Sequence, residues 1–281
     1  MSGPQNGSAP PSTNGAGPNG LETLSRELKT KVDVFLDTET DDEVLNSVKN
    51  QIIIARGVID EALRRYRPEQ LSLSYNGGKD CLVLLILILA SLPSSVDIRS
   101  TQFSSQPPST TSSSSSHLPP PFPSSIQALY IRPPLPFAEV DEFVTETSGT
   151  YHLDLTTSDK AMKPALTEYL HERPDVKAVF VGTRRTDPHG ANLTFFDETD
   201  AGWPSFMRIH PVIDWHYRDV WGFIRALDIP YCPLYDKGYT SLGGLDDTHP
   251  NPALKETSKG QQFRPAYELT EDREERLGRD R

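Results

Sequence analysis

Alternating helical and strand spacings of apolar residues divide the chain into elements. Over 21–36, the apolar positions Leu21, Leu24, Leu28, Val32, Phe35 and Leu36 recur at helical intervals. A second helix is predicted over 42–66, with Val44, Val48, Ile52, Ala55, Ile59, Ala62 and Leu63 on one face. Asp41, Asp42 and Glu43 give it a start, and Pro68 stops it. Leu71, Leu73 and Tyr75 then alternate with Ser72 and Ser74, which is strand spacing. From Leu82 to Ala90 the apolar run is unbroken, as in a helix covered on most sides. Further strands are predicted over 126–131, 151–155 and 176–181, with helices over 137–147 and 159–172 between them. This alternation predicts an α/β fold, a parallel-rich twisted sheet flanked by helices on both faces, with two N-terminal helices on its flank. Near the C-terminus, Thr270 followed by Arg273 and Glu274 predicts a short capped helix as a tail.

Two stretches break the pattern. Residues 1–20 are Gly, Pro, Ser and Asn with almost nothing to bury, and read as a disordered tail without a recognisable targeting address. Residues 93–125 are dominated by Ser, Thr and Pro and read as an exposed low-complexity insertion, either a tolerated surface loop or a phosphorylation or docking segment. One domain over 21–281, interrupted by that insertion, is the organisation expected.

Composition narrows the function classes. A net charge of −11 disfavours broad electrostatic attraction to nucleic acid or to an anionic membrane, so any phosphate site must be local. The apolar run over 82–92 falls short of the roughly 18 residues a bilayer span needs. Cys81 and Cys232 are the only cysteines and form no C-x-x-C, which suits a reducing, cytoplasmic setting.

The candidate chemistry starts at the turn Asn76-Gly77-Gly78-Lys79-Asp80, between the first strand and the apolar helix. Two glycines let backbone approach a ligand, and the helix that follows presents free N–H groups and the positive end of its dipole. Such a turn suits a phosphate, although a Gly-Gly turn also serves as a plain connection. It is not a Walker A loop, because Lys79 is followed by Asp80 and no glycine lies five residues before Gly78. A cation and a carboxylate able to ligate Mg²⁺ at a buried helix start favour the phosphate reading. In parallel sheets ligands collect beyond the carboxyl ends of the strands, which sets residues 76–80 and 182–187 on one rim. There Arg184 and Arg185 offer bidentate donors and Asp187 a carboxylate, with a surface ion-pair cluster as the alternative. Trp203, in a turn before Pro204, is a candidate for stacking on a flat ligand, whereas Trp221 sits on a helical stripe and reads as packing. Arg276 and Arg279, three apart, would share a face of the tail helix, by default a solvated one.

At this point the motifs meet a family. The segment Ser74-Tyr-Asn-Gly-Gly-Lys-Asp-Cys81 resembles the pyrophosphate-binding loop of the PAPS reductase and N-type ATP pyrophosphatase superfamily, usually S-G-G-x-D-S. Together with Gly182-Thr-Arg-Arg-Thr-Asp-Pro188, Trp203-Pro-x-Phe-Met-Arg-Ile-x-Pro211, Tyr235-x-Lys-Gly-Tyr-Thr-Ser-Leu-Gly-Gly244 and Glu275-Arg-Leu-Gly-Arg279, it is similar to the fungal-type eukaryotic FAD synthases (FMN adenylyltransferases). The fold the resemblance implies is Rossmann-like, of the adenine nucleotide α-hydrolase kind. The implied activity is transfer of AMP from Mg²⁺-ATP to FMN, giving FAD and pyrophosphate. Such transfers need charge neutralisation and in-line positioning more than a nucleophile. A PAPS-reductase-like oxidoreductase and a non-catalytic nucleotide-binding module are the alternatives, and the reductase reading loses its nucleophile because the C-terminal E-C-G-x-H cysteine of reductases is missing here.

The resemblance also implies roles. Asn76, Asp80, Arg276 and Arg279 are expected to act in catalysis, with Asp80 on Mg²⁺. Ser74, Gly77, Gly78, Lys79 and Ile131 are expected to bind ATP, and Gly182, Arg184, Arg185, Asp187, Trp203 and Met207 the flavin nucleotide. ATP and FMN are the only partners implied, with no nucleic acid or membrane, and the chain is expected to be a monomer.

Overall fold

A computed structural model describes residues 20–104, 122–256 and 262–280, with side chains left out at 98–104. Residues 1–19 of the tail expected over 1–20 therefore lie outside the described residues, as does 105–121 of the expected insertion, and Gly20 opens the first helix.

Helices α1 (Gly20–Asp37) and α2 (Glu43–Arg65) bury the predicted stripes, including Leu21, Leu28 and Val32 on the first and Val48, Ile52, Ile59 and Leu63 on the second. Asp42 caps α2, its carboxylate accepting the Val44 and Leu45 N–H groups at 2.8 and 3.1 Å. Both helices pack on α3 (Lys79–Ser104), the buried helix that follows strand β1 (Leu71–Ser74). On β1 Ser72 does not face water: it is buried, and its hydroxyl pairs with the Tyr169 hydroxyl at 2.7 Å.

The sheet contains β1, β2 (Ile126–Ile131), β3 (Leu153–Ser158), β4 (Ala178–Phe180), β5 (Phe196–Glu198) and β6 (Met207–Ile209), in the order β3-β2-β1-β4-β6-β5. All neighbouring pairs are parallel except the edge pair β5 and β6. Helices α4 (Ala138–Thr150), α5 (Met162–Glu172) and α6 (Tyr217–Ala226) complete the fold. The central position of β1, between β2 and β4, aims the β1–α3 turn and the segment after β4 at the same edge.

Four expectations shift. Helix α3 does not end at Pro93 but continues to Ser104, through the start of the predicted insertion. Pro93 removes one backbone donor. Leu92 and Pro93 remain buried, and Asp97 reaches Arg26 of α1 at 3.4 Å, so tertiary contact carries the helix past the break. This also lengthens the apolar stretch: Lys79–Asp97 is long and apolar enough to cross a bilayer, although most of it is buried within the protein. Strand β3 starts two residues late, because Tyr151 closes α4 and His152 turns the chain at φ 53°. The C-terminal α-helix is absent: Asp272–Glu274 forms a single 3-10 turn without a cap from Thr270. Asp272 is bound elsewhere, accepting the Tyr217 N–H at 2.6 Å and facing His216 Nδ1 at 2.5 Å, so long-range contacts hold the segment in place of helical ones.

Candidate active site

The turn after β1 is built by its own side chains. Gly77 has φ +70°, and a Cβ there would also lie 2.8 Å from Val144, so glycine is required twice over. The Asn76 side-chain oxygen accepts the Gly78 N–H at 3.0 Å, and the buried Tyr235 hydroxyl accepts the Lys79 N–H at 2.8 Å. Leu82 then donates to the Gly78 carbonyl at 2.9 Å and α3 begins.

Beneath the turn lies a buried quartet of charges. Lys79, 2% exposed, donates to Asp80 at 3.0 Å and to Glu275, and its ammonium sits 5.1 Å from the Tyr217 ring centroid. Arg184, wholly buried, donates through Nη2 to the other oxygen of Glu275. Its Nε stands 2.8 Å from Asp80, an ion contact without hydrogen-bond geometry, and Nη2 is 3.9 Å from Asp187. Burial opposes the charges of Lys79, Asp80 and Arg184, but the opposite charges around them prevail. Arg184 and Lys79 hold the Asp80 carboxyl below its ordinary pKa, Asp80 and Glu275 hold Lys79 above its own, and Arg184 rises for the same reason. Burial and the Asp80 charge push the Cys81 thiol up to about 12. Burial likewise raises Cys232, to about 11.

Above the quartet opens a cleft of about 230 Å³, lined by Ser74, Asn76, Gly78, Asp80, Gly182, Asp187, Tyr235 and Arg276 among others. It meets a larger and more apolar hollow of about 520 Å³, in which Ile131, Pro133, Pro136, Phe137 and Arg279 take part; Asn76 and Leu242 line both. The two together form an elongated trough on the sheet's carboxyl edge, polar at one end and apolar at the other.

The structure brings many of the predicted residues to this trough and separates others from it. Ser74, Asn76, Gly78, Lys79, Asp80, Gly182, Asp187 and Arg276 line the cleft, and Ile131 and Arg279 the hollow. Gly182 has a steric task as well, since a Cβ there would stand 3.0 Å from the Cys81 nitrogen. Arg184 departs from the expectation: with no exposed surface and ion contacts to Asp80 and Glu275, it is an internal counter-ion that lines neither hollow, and its Nη1 has no hydrogen-bond partner. Arg185 points away, tied to Asp214 and to the Leu193 carbonyl at 2.8 Å. Trp203, 40% exposed in the β5–β6 connection, and Met207 on β6 lie outside both hollows. Arg276 and Arg279 do not share one face; Arg279 donates to the Leu242 carbonyl at 2.8 Å and to Asp247 at 2.7 Å. Sequence reasoning missed Tyr235 and Glu275. Each stands at the head of a motif quoted above, but only the folded chain shows the first receiving the Lys79 amide and the second joining two cations.

A glycine turn at the start of a buried helix, a trough on the carboxyl edge of a parallel sheet and a charged floor define a nucleotide-handling α/β protein. Residues 157–250 match the phosphoadenosine phosphosulfate reductase domain family. The chain is 36% identical over 259 residues to the probable FAD synthase of Schizosaccharomyces pombe, covering 92% of this chain and 89% of that one. It is 31% identical to the flavin adenine dinucleotide synthase of Saccharomyces cerevisiae, covering 84% and 77%. The crystal structure of Candida glabrata FMN adenylyltransferase in complex with FMN and the ATP analogue AMPCPP superposes with a TM-score of 0.81 at 26% identity, over 95% of this chain and 99% of that one. The chain belongs to the FAD synthase family.

Proposed function

We propose that this protein makes FAD by transferring the adenylyl group of Mg²⁺-ATP to the phosphate of FMN, with pyrophosphate leaving. The observation that carries the reading is the two-ended trough, whose polar end holds the glycine turn and Arg276 and whose apolar end suits a base. In this reading adenine lies in the apolar hollow by Ile131, and the triphosphate runs past Asn76 into the cleft. The Gly78 amide and Arg276 receive the β- and γ-phosphates, the Asx-type bond from Gly78 to Asn76 giving way to the ligand, while the buried Gly77 lines neither hollow and shapes the turn. Lys79 serves differently from the expectation, since its amide and its ammonium are both engaged by protein groups.

The FMN phosphate enters beside Gly182 and Asp187 and attacks the α-phosphorus in line with the departing pyrophosphate. The metal arrives with ATP. Asp80 lines the cleft with a carboxylate whose oxygens retain lone pairs beyond their ion contacts, so it would hold a Mg²⁺ accompanying ATP, and that ion would neutralise phosphate charge. Trp203 and Met207 remain candidates for the far edge of the flavin ring, and Arg279 for ordering the hollow through Leu242. Charge neutralisation does the work, and no thiol is needed; the reductase reading would require one, yet both cysteines are held protonated. A monomeric, cytoplasmic enzyme is part of the same proposal, tested by sedimentation and by cell fractionation.

Purified protein incubated with FMN and Mg²⁺-ATP should yield FAD and pyrophosphate in equal amounts by HPLC and phosphate release after pyrophosphatase. Riboflavin in place of FMN should yield neither. Absence of both products from FMN overturns the proposal.

A further inference from the structure

We propose that Glu275 is a positioning residue that assembles the leaving-group end of the site by fixing Arg276 over the cleft. Glu275 is 4% exposed, and its two carboxylate oxygens reach cations on separate strand-end segments, Lys79 after β1 and Arg184 after β4. Its backbone is gripped as firmly as its side chain. The buried Thr240 hydroxyl donates to the Glu275 carbonyl at 2.6 Å, and the buried Asn251 amide donates to Thr240 at 2.8 Å and to the Glu274 carbonyl at 2.7 Å. Arg276, the next residue, lines the cleft, and no ion pair to it occurs among the described residues.

The charges explain why this placement matters. Lys79 and Arg184 carry two positive charges, and Asp80 and Glu275 two negative, so the quartet is neutral and each cation is in ion contact with both acids. Asp187 adds a further negative charge at the cleft wall. Among the described residues that line the cleft, Lys79 is already tied to Asp80 and Glu275, so Arg276 is the side-chain cation left to receive a pyrophosphate beside the turn's amides. Arg276 lies in a turn outside any helix or strand: on one side its backbone is held through Glu275, and on the other its carbonyl accepts the Arg279 N–H at 3.0 Å. The carboxylate thus acts on phosphate through its neighbour rather than by contact.

This inference rests on the reading of the cleft as the pyrophosphate end, and its test uses binding rather than FAD formation. Calorimetry with inorganic pyrophosphate and Mg²⁺ should give a Kd at least tenfold weaker in Glu275→Gln and in Arg276→Ala than in the unaltered protein. The double variant should be no more than about twofold weaker than Arg276→Ala alone, because the first substitution acts through the second. Losses that multiply, an unchanged Kd in Glu275→Gln, or no pyrophosphate binding by the unaltered protein overturns the inference. If Glu275→Gln does not fold, Thr240→Val carries the same cycle: it releases the Glu275 carbonyl and leaves the ion contacts in place. Pyrophosphate coupling that persists in a protein unable to make FAD supports Glu275 and defeats the adenylyl-transfer reading alone.

Discussion

Replacing Lys79 by Met tests the buried quartet directly. Methionine keeps most of the apolar stem and its packing while deleting the ammonium that faces Asp80 and Glu275. Removing one partner of a buried pair typically costs about 3–5 kcal/mol. Here Arg184 still faces both carboxylates, so the loss belongs at the lower end, about 3 kcal/mol, or a fall in Tm of roughly 10 °C. The pH dependence has a defined sign. Asp80 has its folded pKa lowered, so it adds stability above the ordinary carboxylate range, and that contribution is lost as pH falls through the folded value. Lys79 has its folded pKa raised, so its contribution is complete below the ordinary lysine value and is lost as pH rises through the folded one. The gap between the two proteins should therefore be flat from about pH 5 to about pH 10 and narrow on both sides. Urea unfolding at pH 3, 7 and 11 measures it. A gap under about 1 kcal/mol at pH 7, at the level of an exposed ion pair, or one that persists unchanged at pH 3, refutes the argument.

Arg276→Ala should lower the rate of FAD formation by about 10²-fold or more, the scale for a lost donor to developing charge, while Tm moves by no more than a degree or two because the side chain is exposed; steady-state kinetics and a melt check both halves. Cys81→Ser with Cys232→Ser should retain most of the activity, and thiol alkylation at neutral pH should be slow, since the thiols are held up to about 12 and about 11. Activity that disappears with the thiols would point back to redox chemistry. EDTA in excess should abolish product formation and added Mg²⁺ restore it, read by the same HPLC assay. Gly77→Ala should cost about 1–3 kcal/mol in urea unfolding, combining a left-handed φ with an overlap on Val144.

The chain's periodicity carried most of the fold. The α1 and α2 stripes and the strand–turn–helix of β1 and α3 were legible because burial on one face leaves a period in the residues. The extension of α3 past Pro93 was not, since it depends on α1 lying alongside and on Arg26 meeting Asp97. The tail misled for a related reason: Thr270 and its charged followers satisfy a local helix rule, while Asp272 is drawn to His216 and Tyr217 about 55 residues away. At the site, motif positions located the trough, but the division of labour among basic residues was invisible. Arg184 and Arg185 look alike in sequence, yet one is a buried counter-ion and the other a brace for the 191–193 loop. Burial decided that, and burial is a property of the folded chain.

The Lys79–Glu275 contact joins residues 196 positions apart. A contact of such separation must wait until the intervening sheet has brought its ends together, because closing the loop costs entropy that earlier contacts have to offset. The proposed hold on pyrophosphate would then be a late property of the folding chain, absent from any state in which the sheet has formed and the tail is still loose. Conversely, a ligand that engages Arg276 and the glycine turn together ties the tail down by its own binding energy, so substrate should protect residues 272–280 from hydrogen exchange more than it protects the core helices.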